Sequence, residues 1–146
     1  MSNTIPLVSS GVAGPLGVLH LPRLWEKVSL DQVGKLHPDY PAIGAGYDSM
    51  VLDGIGIDKD AFVEFMKSKP SYVQLEAWIL EQKGGTLDAV AVSELNSAIT
   101  GYLHDDATRA EILAAAGRAD DGSIKDAINL NNLDDWAAFH KQEIAG

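Results

Sequence analysis

The chain has 146 residues, of which 46% are hydrophobic, and its formal charge is −10. This composition predicts one folded domain with a core of ordinary size, and it excludes disorder of the whole chain. Residues 71–146 hold 5 basic and 13 acidic side chains. Such a surface repels phosphate, so we expect no binding to nucleic acid or to an anionic membrane.

The chain contains no cysteine, which excludes disulfides, thiolate metal sites and a cysteine nucleophile. Its first 15 residues lack the basic and apolar segments of a signal peptide. No apolar run has the length of a membrane span. We therefore expect a cytoplasmic protein of bacterial type.

In chain order, residues 1–21 predict an irregular arm packed on the domain, because glycine and proline interrupt an apolar run. Pro22 suits the first position of a helix that extends to about residue 36. A loop rich in glycine and proline follows over residues 37–56, with one helical turn near Tyr47. A loop of this length in a compact domain is often functional.

Residues 57–146 show capping residues followed by apolar stripes at helical spacing. Asp58 caps one helix, and Pro70 begins an apolar helix that we expect at the centre of the fold, with Trp78 in the core. Thr86 caps the next helix, and Asp105 or its neighbour caps the one after. The last helix is predicted over residues 133–143.

No segment alternates apolar and polar residues as a strand does. The sequence therefore predicts an all-α fold, a single compact domain of six or seven helices with an irregular N-terminal arm and a glycine-rich loop. The arm covers residues 1–21 and the helical domain covers residues 22–146.

Four segments carry a resemblance to a known family: residues 18–25, 44–48, 70–79 and 130–136. Together they resemble a bacterial family catalogued only as a domain of unknown function, with the series number five-zero-six-nine. The resemblance extends over about residues 18–141. It implies a compact, mostly helical domain, and it carries over neither an activity nor catalytic residues.

Near the C-terminus, two amides, two carboxylates, an indole and an imidazole fall within residues 130–140. Trp136 and His140 are four residues apart and share a helix face, so His140 is a candidate general acid or base. The alternative is a core histidine with satisfied hydrogen bonds. Asn131 or Asn132 can cap this helix, which would explain Asp135 and its acidic neighbour as charges at a helix N-terminus.

In the glycine-rich loop, two glycines precede Tyr47 and Asp48. A sharp turn there can present Tyr47 as a proton donor and Asp48 as a base, or Asp48 can simply cap a helical turn. Further on, Glu76 lies in the most apolar helix, either buried with a partner or exposed and paired with Arg23 or Lys83.

At the start of the first helix, His20 is adjacent to Arg23, whose guanidinium can bind a carboxylate with two hydrogen bonds. The four histidines show no metal-binding spacing, and no phosphate-binding glycine loop is present. The sequence thus predicts neither a metal nor a cofactor, although a metal assembled from distant histidine and aspartate residues stays open.

The leading hypothesis is a cofactor-independent acid/base enzyme, of lyase, isomerase, cyclase or hydrolase type, acting on a small organic molecule. The alternatives are a non-catalytic module that binds a metabolite or a protein, and a purely structural domain. The sequence does not specify the oligomeric state. The expected site lies between the glycine-rich loop and the last helix. The candidate catalytic residues are Tyr47, Asp48, Glu76, Asp135 and His140, and the candidate binding residues are His20, Arg23, Trp25, Trp78 and Trp136.

Overall fold

A computed structural model of the protein describes residues 3–146, which fold into seven α-helices followed by a π-helical segment, His140–Ala145. Within this range, β-structure is limited to three isolated bridges. The prediction of an all-α domain is therefore confirmed. None of these helices has the length and apolar character of a membrane span. The helices are α1 (Leu21–Gln32), α2 (Tyr47–Gly54), α3 (Lys59–Met66), α4 (Tyr72–Gln82), α5 (Ala89–Thr100), α6 (Asp106–Ala115) and α7 (Ala127–Phe139).

Short polar side chains determine where five of the helices begin. Asp58 and Asp105 cap α3 and α6 as the sequence predicts, and Ser71 forms a capping box at α4. The prediction of Thr86 as a cap is wrong, because Asp88 accepts the first backbone N–H groups of α5. Asp126 likewise caps α7, whose first residue is Ala127.

The early start of α7 changes the interpretation of its polar run. Residues 131–135 lie inside the helix, so the prediction that Asn131 or Asn132 caps it is wrong. The polar groups at these positions therefore project from the helix sides, where they can contact other elements.

The core is formed where α1 contacts α2, α3 and α4, while α5 bridges α2 and α7, and α6 packs on α7. Its largest fully buried side chains come from all seven helices and from the arm. They include Val18, Leu21, Leu24, Val51, Phe62, Met66, Leu75, Ile79, Ile99, Leu113 and Leu130.

Helix α4 is less central than its composition suggests. Val73 is 74% exposed, and Trp78 is only half-buried, where it stacks on Phe65 with ring centroids 4.6 Å apart. The prediction that Trp78 is a core residue is therefore wrong. The apolar side chains of α4 do not all find a neighbour, because only one side of the helix faces α1.

Polar side chains of α4 and α5 hold the N-terminal arm. The buried carboxylate of Glu76 accepts the backbone N–H of Leu16 at 3.2 Å and the hydroxyl of Tyr72 at 2.8 Å. A Cβ on Gly14 would overlap the Tyr72 ring and the Glu76 carboxylate, so only glycine lets the arm approach this closely. Asn96 of α5 accepts from the backbone of Leu19 in the same way.

Candidate functional site

Three basic side chains lie on one buried face formed by α1 and by the residue that precedes it. His20, Arg23 and Lys27 are spaced by three and four residues, and each is at most 6% exposed. Their acidic partners come from distant elements, Asp48 from α2 and Asp135 from α7. The two carboxylates are the residues that make this buried charge tolerable, because a buried cation needs a paired anion.

Asp48 is the centre of the first half of this cluster. Its carboxylate lies 2.6 Å from Nε2 of His20 and 2.5 Å from Nζ of Lys27, and it also accepts the backbone N–H of Gly44 at 2.7 Å. The other ring nitrogen of His20, Nδ1, lies 2.9 Å from the hydroxyl of Ser10 in the arm. The glycine-rich loop, the arm and α1 are thus joined at one carboxylate.

Burial and pairing act in opposite directions on these groups. Burial lowers the pKa of His20, although Asp48 acts to raise it, so the imidazole is neutral in the folded protein at pH 7. Burial acts to raise the pKa of Asp48, but the hydrogen bond from His20 and the charge of Lys27 together hold it below its usual range. At neutral pH, His20 therefore donates from Nε2 to an ionised Asp48 and accepts from Ser10.

Asp135 is the centre of the second half. Arg23 binds its two carboxylate oxygens at 2.6 and 3.0 Å, and the hydroxyl of Tyr40 donates to it at 2.9 Å. The remaining hydrogen bonds of the Arg23 guanidinium reach the backbone carbonyls of Pro6 and Val8 in the arm. Burial raises the pKa of Asp135 above its ordinary value despite the nearby guanidinium.

A cavity of about 280 Å³ opens onto this cluster, and we call it the central cavity. Its inner wall carries four members of the cluster, and its sides are formed by the glycine-rich loop, α7 and the segment after α5. Four rings form a continuous row in the order His20, Tyr47, Tyr102 and His104. The centroids of neighbouring rings in this row are 5.2 to 6.0 Å apart. The cavity is lined by polar and aromatic side chains, among them His20, Arg23, Lys27, Tyr40, Tyr47, Asp48, Tyr102, His104, Asn131 and Asp134.

His104 is the imidazole of the central cavity with a free nitrogen. Its Nε2 lies 2.9 Å from the side-chain oxygen of Asn131, which can only accept, so Nε2 carries the proton in the neutral ring. Its Nδ1 has no hydrogen-bond partner among residues 3–146. A neutral imidazole fixed in this tautomer presents a lone pair that can accept a proton.

Tyr47, which the sequence predicts as a catalytic residue, lines the central cavity in another role, and Asp134, which was not among the predicted site residues, lines it as well. The Tyr47 hydroxyl donates to the backbone carbonyl of Ile99 at 2.6 Å, and burial raises its pKa to about 12. The Tyr47 hydroxyl is therefore occupied by a backbone carbonyl, and the Tyr47 side chain forms part of the cavity wall. Asp134, on the exposed side of α7, has a pKa raised by partial burial and by Asp135.

The structure separates the other candidates from the central cavity. His140 is exposed and lines a different hollow with Trp136, which is 56% exposed. The prediction that the Trp136–His140 face meets Tyr47 and Asp48 is therefore wrong. Helix α7 does meet the glycine-rich loop, but with the face that carries Asn131 and Asp134.

The predicted tryptophan walls are also distributed over three separate hollows. Trp25 and Trp78 line different surface pockets, and neither lines the central cavity. Glu76 lies outside the central cavity as well, where it holds the arm. Tyrosines line the central cavity where tryptophans were predicted, because sequence spacing does not show which aromatic residues meet in the fold.

The sequence interpretation missed Ser10, Lys27, Tyr40, Tyr102 and His104 as members of this site. A signal was present for Lys27, since it completes a basic stripe with His20 and Arg23 at the three- and four-residue spacing of one helix face. No such signal marks the others, because Tyr40 and His104 lie in connecting segments without a repeating pattern.

Metal binding finds no support in the part of the chain from residue 3 onward, where no three histidine or acidic side chains group as ligands. His20 and Asp48 do meet, but the same carboxylate binds the ammonium of Lys27. A positive charge at that position disfavours a cation beside it.

The fold and the site define a small all-α domain with a buried cluster of charged residues beside an aromatic cavity. A family model described as "Domain of unknown function (DUF5069)" matches residues 10–136. The chain belongs to this family. No curated protein matches the sequence. The matched range contains every member of the cluster, from Ser10 to Asp135, and ends before His140.

Proposed function

We propose that the protein binds a small polar organic molecule in the central cavity and transfers protons to or from it without a dissociable cofactor. One observation carries the proposal. Six of the seven buried polar or charged side chains of residues 3–146 belong to the cluster beside this cavity. Buried ion pairs are a poor means of stabilising a fold, because similar apolar packing is often more stable. We infer that the cluster is kept for what it does to a ligand.

His104 is the proposed general base and Asp134 the proposed general acid. The Nδ1 lone pair of His104 is free, and its orientation is held by Asn131. The raised pKa of Asp134 favours retention of a proton that it can donate. Both residues line the same cavity, so one ligand can contact both.

The paired residues of the inner wall would orient the ligand. Their charges are fixed before the ligand arrives, so they need not reorganise as charge moves during proton transfer. His20 is held with a φ of 70°, in the left-handed region that a residue with a side chain rarely adopts. Such strain in a buried polar residue is typical of functional sites.

The ligand class follows from the size and charge of the site. A cavity of about 280 Å³ suits a metabolite-sized molecule. The net charge of −10 supports a small-molecule ligand over nucleic acid or an anionic membrane. We extend the proposal to a cytoplasmic, bacterial setting and to chemistry of the lyase, isomerase, cyclase or hydrolase type.

The test begins with a thermal-shift screen of small organic acids, amides, amines and sugars. Each ligand that raises the melting temperature is then incubated with the protein in D₂O, and deuterium incorporation at its carbon atoms is followed by NMR. We expect the wild type to exchange at least one C–H position. His104→Gln should bind the ligand but reduce exchange at least 100-fold, because Gln can still donate to Asn131 but cannot accept the proton.

His140→Gln is the matched control, since it makes the same change at an exposed histidine outside the cavity. It should leave both binding and exchange unchanged. Equal exchange in wild type and His104→Gln would contradict the assigned base, and ligands whose binding is insensitive to cavity substitutions would contradict the site.

A non-catalytic binding module is the second candidate. It is favoured by the pairing of every charged group on the inner wall, which leaves none of them free to react. Under this alternative, ligands bind in the central cavity and the wild type incorporates no deuterium. The same experiment therefore separates the two functions.

A further inference from the structure

A second cavity, of about 300 Å³, lies between the end of α1 and the turn that precedes α4. It shares no lining residue with the central cavity. We call it the Trp25 pocket. Its lining residues are Trp25, Ser29, Leu30, Val33, Lys35, Lys69 and Pro70.

The wall of the Trp25 pocket is a fixed aromatic and aliphatic surface. The indole N–H of Trp25 donates to the backbone carbonyl of Pro70 at 3.0 Å, and its ring packs edge-on against Tyr72. These contacts hold the indole in one orientation before any ligand arrives. Val33, which also lines the pocket, is 46% exposed, so an apolar surface is left uncovered at this place.

Ser29 introduces an unsatisfied polar group into this apolar surface. Its hydroxyl is buried and has no hydrogen-bond partner, the one such side-chain atom found between residues 3 and 146. A buried hydroxyl without a partner is unfavourable, and native proteins rarely retain one. Because Ser29 lines the pocket, a rotation of its side chain about χ1 would turn this hydroxyl toward a ligand atom that accepts a hydrogen bond, and that atom would supply the missing partner.

Two lysines make the pocket electropositive in a protein of net charge −10. The ammonium groups of Lys35 and Lys69 form no ion pair or hydrogen bond with any described residue, although 21 acidic side chains are present in the chain. Lys69 has a φ of 56°, a left-handed conformation unusual for lysine. It comes directly before Pro70, whose carbonyl binds Trp25, and both Lys69 and Trp25 line the pocket.

We propose that the Trp25 pocket binds a small aromatic carboxylate. The ring of the ligand packs on Trp25 and the neighbouring aliphatic side chains, while its carboxylate accepts from Ser29 and is attracted by Lys35 and Lys69. An apolar body with one anionic end is the chemistry that satisfies all three features at once. The site is independent of the central cavity and of the function proposed there.

Three probes with the same body and different end groups test the charge preference: 3-phenylpropanoate, 3-phenylpropanol and 3-phenylpropylamine. Binding is followed by the NMR shift of the Trp25 indole N–H, assigned with Trp25→Phe. We expect 3-phenylpropanoate to bind at least tenfold more tightly than the amine, with the alcohol between them. Equal or tighter binding of the amine, or no shift of Trp25 with the carboxylate, would overturn the proposal.

The double variant Lys35→Gln/Lys69→Gln should remove most of the difference between the carboxylate and the amine. Lys59→Gln/Lys125→Gln is the matched control, because it changes net charge equally at lysines outside the pocket. If both double variants weaken 3-phenylpropanoate to the same extent, the preference reflects the total charge of the protein, and the assigned lysines are wrong.

Ser29→Ala gives a readout that a purely structural serine would not. Removal of an unpaired buried hydroxyl should leave the unfolding midpoint of the free protein unchanged or higher. The same variant should weaken 3-phenylpropanoate about tenfold, the factor expected for one hydrogen bond to a charged group. A lower unfolding midpoint with unchanged affinity would show that Ser29 serves the fold instead.

Discussion

Asp135 is 2% exposed and holds three donor groups, two from Arg23 and one from Tyr40. Its carboxylate therefore compensates a guanidinium that is almost completely buried, since Arg23 is 6% exposed. The two residues lie in α7 and α1, so this one carboxylate also fixes the distance between those helices. We therefore expect the loss of this carboxylate to reduce the stability of the fold, whatever its effect on the binding of a ligand.

We predict that Asp135→Asn lowers the free energy of unfolding by about 3–5 kcal/mol, because it leaves the charge of Arg23 buried without an anion. Urea denaturation at pH 7 measures this. Asp134→Asn is the control, since the neighbouring exposed carboxylate makes no hydrogen bond to Arg23, and it should change stability by less than about 0.5 kcal/mol. A loss below about 1 kcal/mol for Asp135→Asn would contradict this role.

A second prediction at this scale concerns His20 and pH. Burial lowers the pKa of His20 in the folded protein, whereas in the unfolded chain it titrates near 6.5. The unfolded state thus binds more protons as the pH falls through 6.5, so the stability that His20 contributes decreases as the pH falls.

The measurement compares urea denaturation of wild type and His20→Gln between pH 7.5 and 5.5. Carboxylates with raised pKa, such as Glu26 and Asp134, act in the opposite direction but in both proteins. The stability difference between the two proteins should therefore shrink as the pH falls. Parallel pH profiles would mean that the pKa of His20 is the same in the folded and unfolded states, and a difference that grows as the pH falls would mean that it is raised in the folded state.

At the scale of elements, α7 shows why the boundaries of helices are hard to read from sequence. Asn131, Asn132, Asp134 and Asp135 all have side chains that cap helices well, and so does Asp126. Local preference does not choose between these positions. The choice is made by packing, because a helix that begins at Ala127 buries Ala127 and Leu130 against the other helices.

We predict that Asp126→Ala destabilises the protein by about 1 kcal/mol, since its side chain accepts the backbone N–H of Asn129 at 2.9 Å. Asn132→Ala should instead be neutral or stabilising by a few tenths of a kcal/mol, because alanine is the better residue inside a helix. Thermal unfolding of both variants measures the pair of effects. A larger loss of stability for Asn132→Ala than for Asp126→Ala would instead place the start of the helix near Asn132, as predicted from the sequence.

At the scale of the whole molecule, the sequence predicts the fold class well and the site only in part. Capping residues and helical periodicity are local, so the all-α fold follows from them. Asp48, Asp135, His20 and Arg23 were singled out from the sequence and do lie together. His140 was singled out by its spacing from Trp136, but spacing shows which residues share a face and not what that face contacts.

The C-terminal segment offers a test of this last point. The π-helical residues His140–Ala145 are exposed, and within residues 3–146 their one side-chain hydrogen bond to the rest of the protein joins Gln142 to Asn3. We predict that removal of residues 141–146 lowers the free energy of unfolding by less than about 1 kcal/mol. Denaturant melts of the shortened chain check this, and a large loss would give the segment a structural role.

The distance in sequence between Arg23 and Asp135, 112 residues, has a consequence for a chain during its synthesis. At about 5–20 residues per second, the ribosome adds Asp135 on the order of ten seconds after Arg23. Until then the guanidinium lacks its anion, and α1 cannot be buried in its final position without an uncompensated charge. The central cavity is therefore among the last features to form, and a ribosome that stops before residue 135 leaves a fragment without it.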